Sequence, residues 1–454
     1  MSRPLTFGVF EVYSPEVGGT YSWSHPANDK IDFLDPDRWV RVAQVMDRTG
    51  YDFLFFADSY GYPMVDGDIA EMSVRRAINF PNLDPATIIP VLAYATERLG
   101  FVVTASTGID HPVQLARKYA SLDHVTGGRI GWNIVTGSSQ NAVAALFGQT
   151  EMTAHDDRYA IAAEYVELAR KFWELGWDDD ALLADCETEE YIHPDRLRAI
   201  SHEGEHYRSN GHFTVPPSPQ RTPVLFQAGT SAKGKALAAA TAEGVFIQAT
   251  TPEFTARNAA DIRRMAAEAG RDPESVKIIA GVTAIVADTD EEAQALYEEF
   301  LGMQSDEMVA SLYAGNTGIN LLDLDPDGTI EQAYERGGAV GFLGTSNIER
   351  FREGAGRPAP TVRQILDELR GRGTRGFLLV GSPETVADGI ADLAERAGLD
   401  GFMLEPVFGL RDVQAFGEQV LPILRERGLA AEPVGSTLRE HITGIDGNTR
   451  MAIA

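Results

Sequence analysis

Cysteine is all but missing from this chain. Cys186 is the only one in 454 residues, so an intramolecular disulfide is excluded, which fits a reducing compartment. It lies in the acidic run 178–190, DDDALLADCETEE, where a stabilised thiolate is disfavoured. Positive charge is scarce: 39 Lys and Arg stand against 67 Asp and Glu, a net charge of −28. Nucleic acid and anionic membrane surfaces both need clustered cations, so neither is an expected partner. No run approaches the roughly 20 apolar residues of a membrane span. The opening MSRPLTFGVFEVYS carries no signal-peptide core. The expected location is the cytoplasm. The nine histidines are scattered without metal-ligand spacing, so no metal site is predicted. A Walker A loop, a GxSxG elbow and a GxGxxG directly after a strand are all absent, which excludes a Rossmann-type nicotinamide site.

What is present is alternation. Apolar, β-branched runs at 5–12, 51–57, 100–105, 130–135, 223–228, 244–249, 276–286 and 401–406 are each followed by a helical pattern. Those patterns cover 36–49, 85–99, 112–122, 156–175, 231–242, 252–269, 290–300 and 412–427. Eight such pairs predict an α/β fold, a (β/α)8 TIM barrel, in one domain over 1–454. An open doubly wound sheet is the alternative, because periodicity does not show closure. The extra length falls in insertions at about 60–84, 176–222 and 302–380. The last contains GGAVGFLGTSNIERFREGAGRPAP and reads as a mobile loop or lid.

Barrel active sites lie at the C-terminal strand ends. There the sequence places Asp58-Ser59-Tyr60, then Thr104 and Ser106, then Asn133 to Ser139, with Thr136 among them, then Gln227 to Ser231. Thr104 and Ser106 share a strand face. Gly229 permits a tight turn, and Thr230 and Ser231 open a helix whose free N–H groups suit a phosphate. Lys233 adds a charge nearby. His155 and Tyr159, four apart, share one helix face. Each feature has a plainer role too: Ser231 as a helix cap, Asp58 as a loop cap, His155-Asp156-Asp157 as an acidic helix start. Together they describe a barrel with a phosphate-bearing ligand.

The motifs FLFFADS (53–59), HPVQLARKYASLDHVTGGRIGWNIVTG (111–137), HDDRY (155–159), SPQRTPVLFQAGTSAKGKALAA (218–239), VGSPETVADGI (380–390) and the tail VLPILRERGL…GSTLREHI (420–442) follow in order along the chain. In these the chain resembles the bacterial luciferase-like flavin monooxygenases. The branch is that of nitrilotriacetate monooxygenase, pristinamycin synthase A and dibenzothiophene sulfone monooxygenase. The resemblance implies a two-component enzyme. A separate NAD(P)H:flavin reductase supplies FMN as FMNH2. O2 is the co-substrate, and a small organic substrate is oxygenated through a flavin peroxide shielded from water. It also implies flavin contacts at Asp58, Thr104, Ser106, Asn133, Thr136, His155, Tyr159, Ala228, Gly229, Thr230 and Ser231, and a non-proline cis peptide at 105–106. Substrate-facing catalytic residues would be His25, in WSHP, and Tyr60, with Tyr62 beside it. Leu312, Phe342 and Leu343 would be apolar lid residues, and the assembly a homodimer or homotetramer. The segments NIVTG and STGIDHP depart from the family pattern, which leaves the substrate open. Two alternatives stand beside this reading: an F420-dependent hydride-transfer enzyme on the same barrel, and a flavin-binding homologue without turnover.

Overall fold

The computed structural model describes residues 4–65, 68–137, 140–149, 153, 155–229, 231–247, 251–335, 351, 358–447 and 449–450. Eight parallel strands form the barrel: β1 (Thr6–Val12), β2 (Phe53–Ala57), β3 (Gly100–Ser106), β4 (Ile130–Val135), β5 (Val224–Ala228), β6 (Gly244–Ile247), β7 (Lys277–Val286) and β8 (Gly401–Leu404). Each pairs with the next, and the β8–β1 ladder, starting at Thr6↔Gly401, closes the ring. Closure excludes the open sheet. All eight predicted runs are strands.

The period-2 alternation divides side chains between two cores. Phe53, Phe55, Val102, Val224, Phe226, Ile279 and Met403 fill the barrel interior. Their neighbours Leu54, Phe56, Val103 and Trp132 pack outward under the helices. The tail helix Leu438–Thr443 plugs the base, with Leu438 and Ile442 joining the interior cluster. Its Arg439 is fully buried. Nε and Nη2 donate to Glu243 at 2.7 and 3.1 Å, and further N–H groups reach the carbonyls of Gln220 and Thr222 at 3.2 and 2.8 Å.

The outer helices are α1 (Pro36–Thr49), α2 (Ile89–Tyr94), α3 (Pro112–Thr126), α4 (His155–Leu175), α5 (Ala232–Thr241), α6 (Pro252–Glu268) and α7 (Pro383–Ala397). The last, α8, runs through Leu410–Ala415, a π-helical turn Phe416–Val420 and Leu421–Glu426. Local sequence sets α1: Asp35 caps it, Pro36 occupies the first turn, and Gly50 at φ +77° ends it. Its buried Trp39, Val42 and Met46 face the barrel.

The seventh unit departs from expectation. A helix does span Asp290–Gly302, but it packs on an extra strand, Phe377–Gly381. The position in the outer layer belongs to α7, which lies between α6 and α8. The reason is the length of β7. It pairs inside the barrel as far as Val282, while Val282 to Val286 also pair with Phe377 to Gly381.

The 302–380 insertion is not simply a loop. Helices Asp306–Thr317, Glu331–Glu335 and Val362–Arg372 enclose their own core, with Tyr313, Leu321, Ile365 and Leu369. Leu312 is buried with Ile78 and Met308, not spread on a lid surface. Most of the Gly-rich stretch, with Phe342 and Leu343, lies outside the described residues. The 176–222 insertion forms two hairpins, Leu182–Asp185 with Glu190–Ile192 and Ala199–Glu203 with Arg208–His212. Among the described residues, no helix is long and apolar enough to cross a membrane.

Candidate active site at the strand ends

Register brings the central polar residues together. Thr104 and Asn133 are cross-strand partners between β3 and β4. The Thr104 hydroxyl donates to the Phe56 carbonyl at 2.8 Å, and its oxygen accepts from Asn133 Nδ2 at 2.9 Å. That direction fixes the amide: with its proton committed to Phe56, Thr104 can only accept, so Nδ2 must face it. Asn133 Oδ1 is left without a hydrogen-bond partner on a side chain only 3% exposed. A buried orphan acceptor costs about 1–3 kcal/mol unless a donor reaches it.

The cleft next to this pair is lined by Asp58, Tyr60, Asp84, Ser106, Asp110 and Lys118, among others. Burial, reinforced by the neighbouring Asp84 carboxylate, raises the Asp58 carboxyl to about 6. Lys118, on α3, is paired with Asp110 at 2.8 Å. The Ser106 hydroxyl accepts from Gly108 N at 3.2 Å and shapes the turn after β3. The 105–106 peptide is trans, contrary to expectation. Ala105 and Ser106 continue the ladder opposite Ile134 and Val135, and the extended strand carries straight through. The cis bond among the described residues is Phe80–Pro81.

The fifth corner has the helix cap expected of it. Ser231 caps α5, its hydroxyl accepting from Gly234 N at 3.0 Å, and the Tyr159 hydroxyl lies 3.4 Å from it. Two glycines let the corner pack closely. A Cβ on Gly229 would come within 2.7 Å of Gln227 Nε2, and one on Gly234 within 3.0 Å of Tyr159 Oη. Ala228 ends β5 opposite Phe246. Lys233 is exposed, while Lys235 pairs with Asp261 at 3.0 Å. Thr230 and the His155 side chain lie outside the described residues, although the His155 backbone starts α4.

The two substrate-side candidates are not together. Tyr60 lines the cleft. His25 sits toward β7 and β8, where its Nε2 lies 3.0 Å from Glu299 and its ring packs on Phe408. Tyr62 is half-buried and is not among the lining residues. Sequence reasoning passed over Arg158, and it placed Gln227 at a strand end without giving it a role. The Arg158 guanidinium is buried under the loop after β4 and reaches the carbonyls of Thr136 and Gly137 at 3.5 and 3.4 Å. Gln227, 2% exposed, holds an unpartnered Oε1. A glutamine inside the apolar run VLFQA was the available signal, since buried amides are normally satisfied.

A barrel with polar strand ends is shared by many enzymes. The family model that matches residues 7–401 is that of luciferase-like monooxygenases. The chain belongs to this family. It is 36% identical over 449 residues to a dimethyl-sulfide monooxygenase of Hyphomicrobium sulfonivorans, covering 98% of this chain and 92% of that protein. It is 35% identical to the long-chain alkane monooxygenase of Geobacillus thermodenitrificans, with 99% and 96% covered. Among solved structures, a riboflavin lyase with modified FMN and its substrate riboflavin matches with a TM-score of 0.91 and 38% identity, covering 99% of this chain and 98% of that one. This luciferase-like protein is therefore an enzyme of the monooxygenase class, with its candidate site where a TIM barrel places chemistry.

Proposed function

We propose that the protein is the oxygenase component of a two-component, FMNH2-dependent monooxygenase. A separate NAD(P)H:flavin reductase would supply its reduced FMN, and O2 would be its co-substrate with a small organic compound. One observation carries this reading: a phosphate-type cradle and an orphaned, oriented amide oxygen occur on adjacent strands, β5 and β4.

The residues fit FMN. Gly229 and Ser231 stand at the N-terminus of α5, where free N–H groups and the helix dipole favour a phosphate dianion. The Ser231 and Tyr159 hydroxyls add donors. His155, Thr230 and Ala228 are proposed to complete this end. Asn133 Oδ1 accepts from an N–H of the ring system, and Thr104 holds it in that orientation. Thr136 and Ser106 flank the ring, and Asp58 closes the wall on the β2 side. When bound, reduced FMN supplies the electrons that activate O2. The chain's own part is to hold the flavin, bring the substrate to it and keep water away. Tyr60 and His25 are kept as substrate-side residues, Tyr60 from the cleft wall and His25 from the β7–β8 side.

The test is reconstitution with a flavin reductase, NADH and 18O2. The oxygenase should bind FMNH2, and one 18O atom should enter the product of a turned-over compound. A protein that binds FMNH2 but only releases H2O2 with every compound offered would be the flavin-binding homologue instead. The riboflavin lyase likeness favours a second reading, in which a flavin is itself the substrate. Loss of riboflavin from the same mixture, followed by chromatography, would support it.

A further inference from the structure

An open groove of about 800 Å³ lies between the Asp290–Gly302 helix and the start of α8. Val286, Leu296 and Leu410 give it an apolar floor. Five carboxylates stand around that floor, against one cation, Arg411. The cation is already used: Arg411 donates to Asp412 at 3.0 Å and to the Val286 carbonyl at 2.9 Å. Three of the acids are paired as well, Asp29 with Arg38, Glu299 with His25 and Glu418 with Arg48. Asp288 and Glu292 are exposed and have no ion pair among the described residues. The helix that forms this wall repeats the bias. Its charged residues are Asp290, Glu291, Glu292, Glu298 and Glu299, all acidic.

The apolar surface continues past the groove. Asp29 Oδ1 accepts from Leu410 N at 2.9 Å and ties the loop after β1 to α8. That loop runs on to Ile31 and Leu34, which are 61% and 64% exposed. Lys30, between Asp29 and Ile31, is buried against Glu11 at 2.9 Å, so it lends the surface no charge. Two large apolar side chains in water beside an apolar-floored groove mark a docking surface.

Charge and shape select the occupant. A small-molecule site encloses most of its ligand, whereas this groove is open to solvent. Carboxylates repel nucleic acid and anionic lipid. A second copy of the chain, at net −28, would bring like charge to like. A basic helix with one apolar face matches both the floor and the rim.

We infer that this groove docks a partner protein through a cationic amphipathic helix. Leu296 and Leu410 receive the apolar face of that helix, and Asp288 and Glu292 pair with its Lys or Arg side chains. Val286 is the last residue of β7. The partner therefore sits at the strand-end side of the barrel, the side that carries the candidate active site.

Fluorescence anisotropy on the full-length protein tests this. The probe is a labelled peptide of about 18 residues with Leu and Lys at helical spacing. The wild type should bind it, and binding should weaken at ~0.3 M salt. Asp288→Lys with Glu292→Lys should weaken it roughly tenfold, as two attractive rim charges become repulsive. Leu296→Ser should weaken it roughly fivefold through the lost apolar contact. Glu187→Lys with Glu190→Lys, on the exposed 182–192 hairpin, changes the net charge equally and should leave binding within about twofold of wild type. No binding by the wild type, or equal losses in the two charge-reversed pairs, would overturn the inference. So would sedimentation showing a wild-type dimer that Leu296→Ser dissociates, because a second copy would then cover the groove.

Discussion

Ser231→Ala separates two roles that one hydroxyl performs. In the free protein the hydroxyl accepts from Gly234 N at 3.0 Å and caps α5. Losing such a cap costs typically about 1 kcal/mol of stability. In the proposed complex the same hydroxyl also donates to the FMN phosphate, and a hydrogen bond to a charged group is worth about 1.5–3 kcal/mol. At about 1.4 kcal/mol per factor of ten, FMNH2 affinity should fall by roughly 10- to 150-fold. The assay is anaerobic titration of wild type, Ser231→Ala and Ser231→Gly with reduced FMN and with reduced riboflavin, which lacks the phosphate. Wild type should prefer FMN, and Ser231→Ala should lose most of that preference with little change toward riboflavin. Ser231→Gly should recover the stability, because glycine caps almost as well, but not the phosphate preference. Equal weakening toward both flavins, or none, would refute a phosphate at this corner.

Three further outcomes follow from the same structure. Arg439→Ala should destabilise the barrel by about 3–5 kcal/mol, because it strands the buried Glu243 carboxylate. A denaturant midpoint unchanged from wild type would contradict this. Asp58→Asn should stabilise the protein at neutral pH by about 1–3 kcal/mol. The Asp58 carboxyl, raised to about 6, binds its proton more tightly folded than unfolded. Its ionisation therefore costs stability that is fully lost above about pH 6 and regained as the pH falls toward the unfolded value near 4. The gain from this substitution should thus vanish by about pH 4, and a gain constant with pH would contradict the assignment. Gly19→Ala places a Cβ against Leu312 at φ +71°, so it should loosen the docking of the 306–317 helix. Faster limited proteolysis of the insertion is the expected readout, and wild-type rates would count against it.

The barrel was legible because its strands obey one rule. In FLFFA, aromatic and aliphatic residues occupy both faces, and the run stops where the polar Asp58-Ser59 begins. The fifth corner was legible for the same local reason: Gly, Thr and Ser before a helix define a cap wherever it lies in the fold. Three things were not local. The choice between 290–302 and 383–397 for the outer layer turns on how far β7 extends, since both segments carry good caps at Thr289 and Ser382. The strand Phe377–Gly381 is too short to stand out beside its glycines. The charge balance of the cleft depends on Asp84, before one helix, and Lys118, within another, lining one cleft, which spacing along the chain does not show. The trans 105–106 bond marks where a family pattern was a poor guide to this backbone. The corner that holds Ser231 lies near Tyr159, and the tail motif GSTLREHI serves the barrel base rather than the site.

The central claim is that the strand-end site takes reduced FMN. Anaerobic titration of the purified protein with FMNH2, oxidised FMN and F420, followed by admission of O2, tests it most directly. The account predicts tight FMNH2 binding that is weakened in Ser231→Ala, weaker binding of oxidised FMN, no binding of F420, and O2 uptake only when FMNH2 is bound. Tight F420 binding with no measurable affinity for FMNH2 would contradict it.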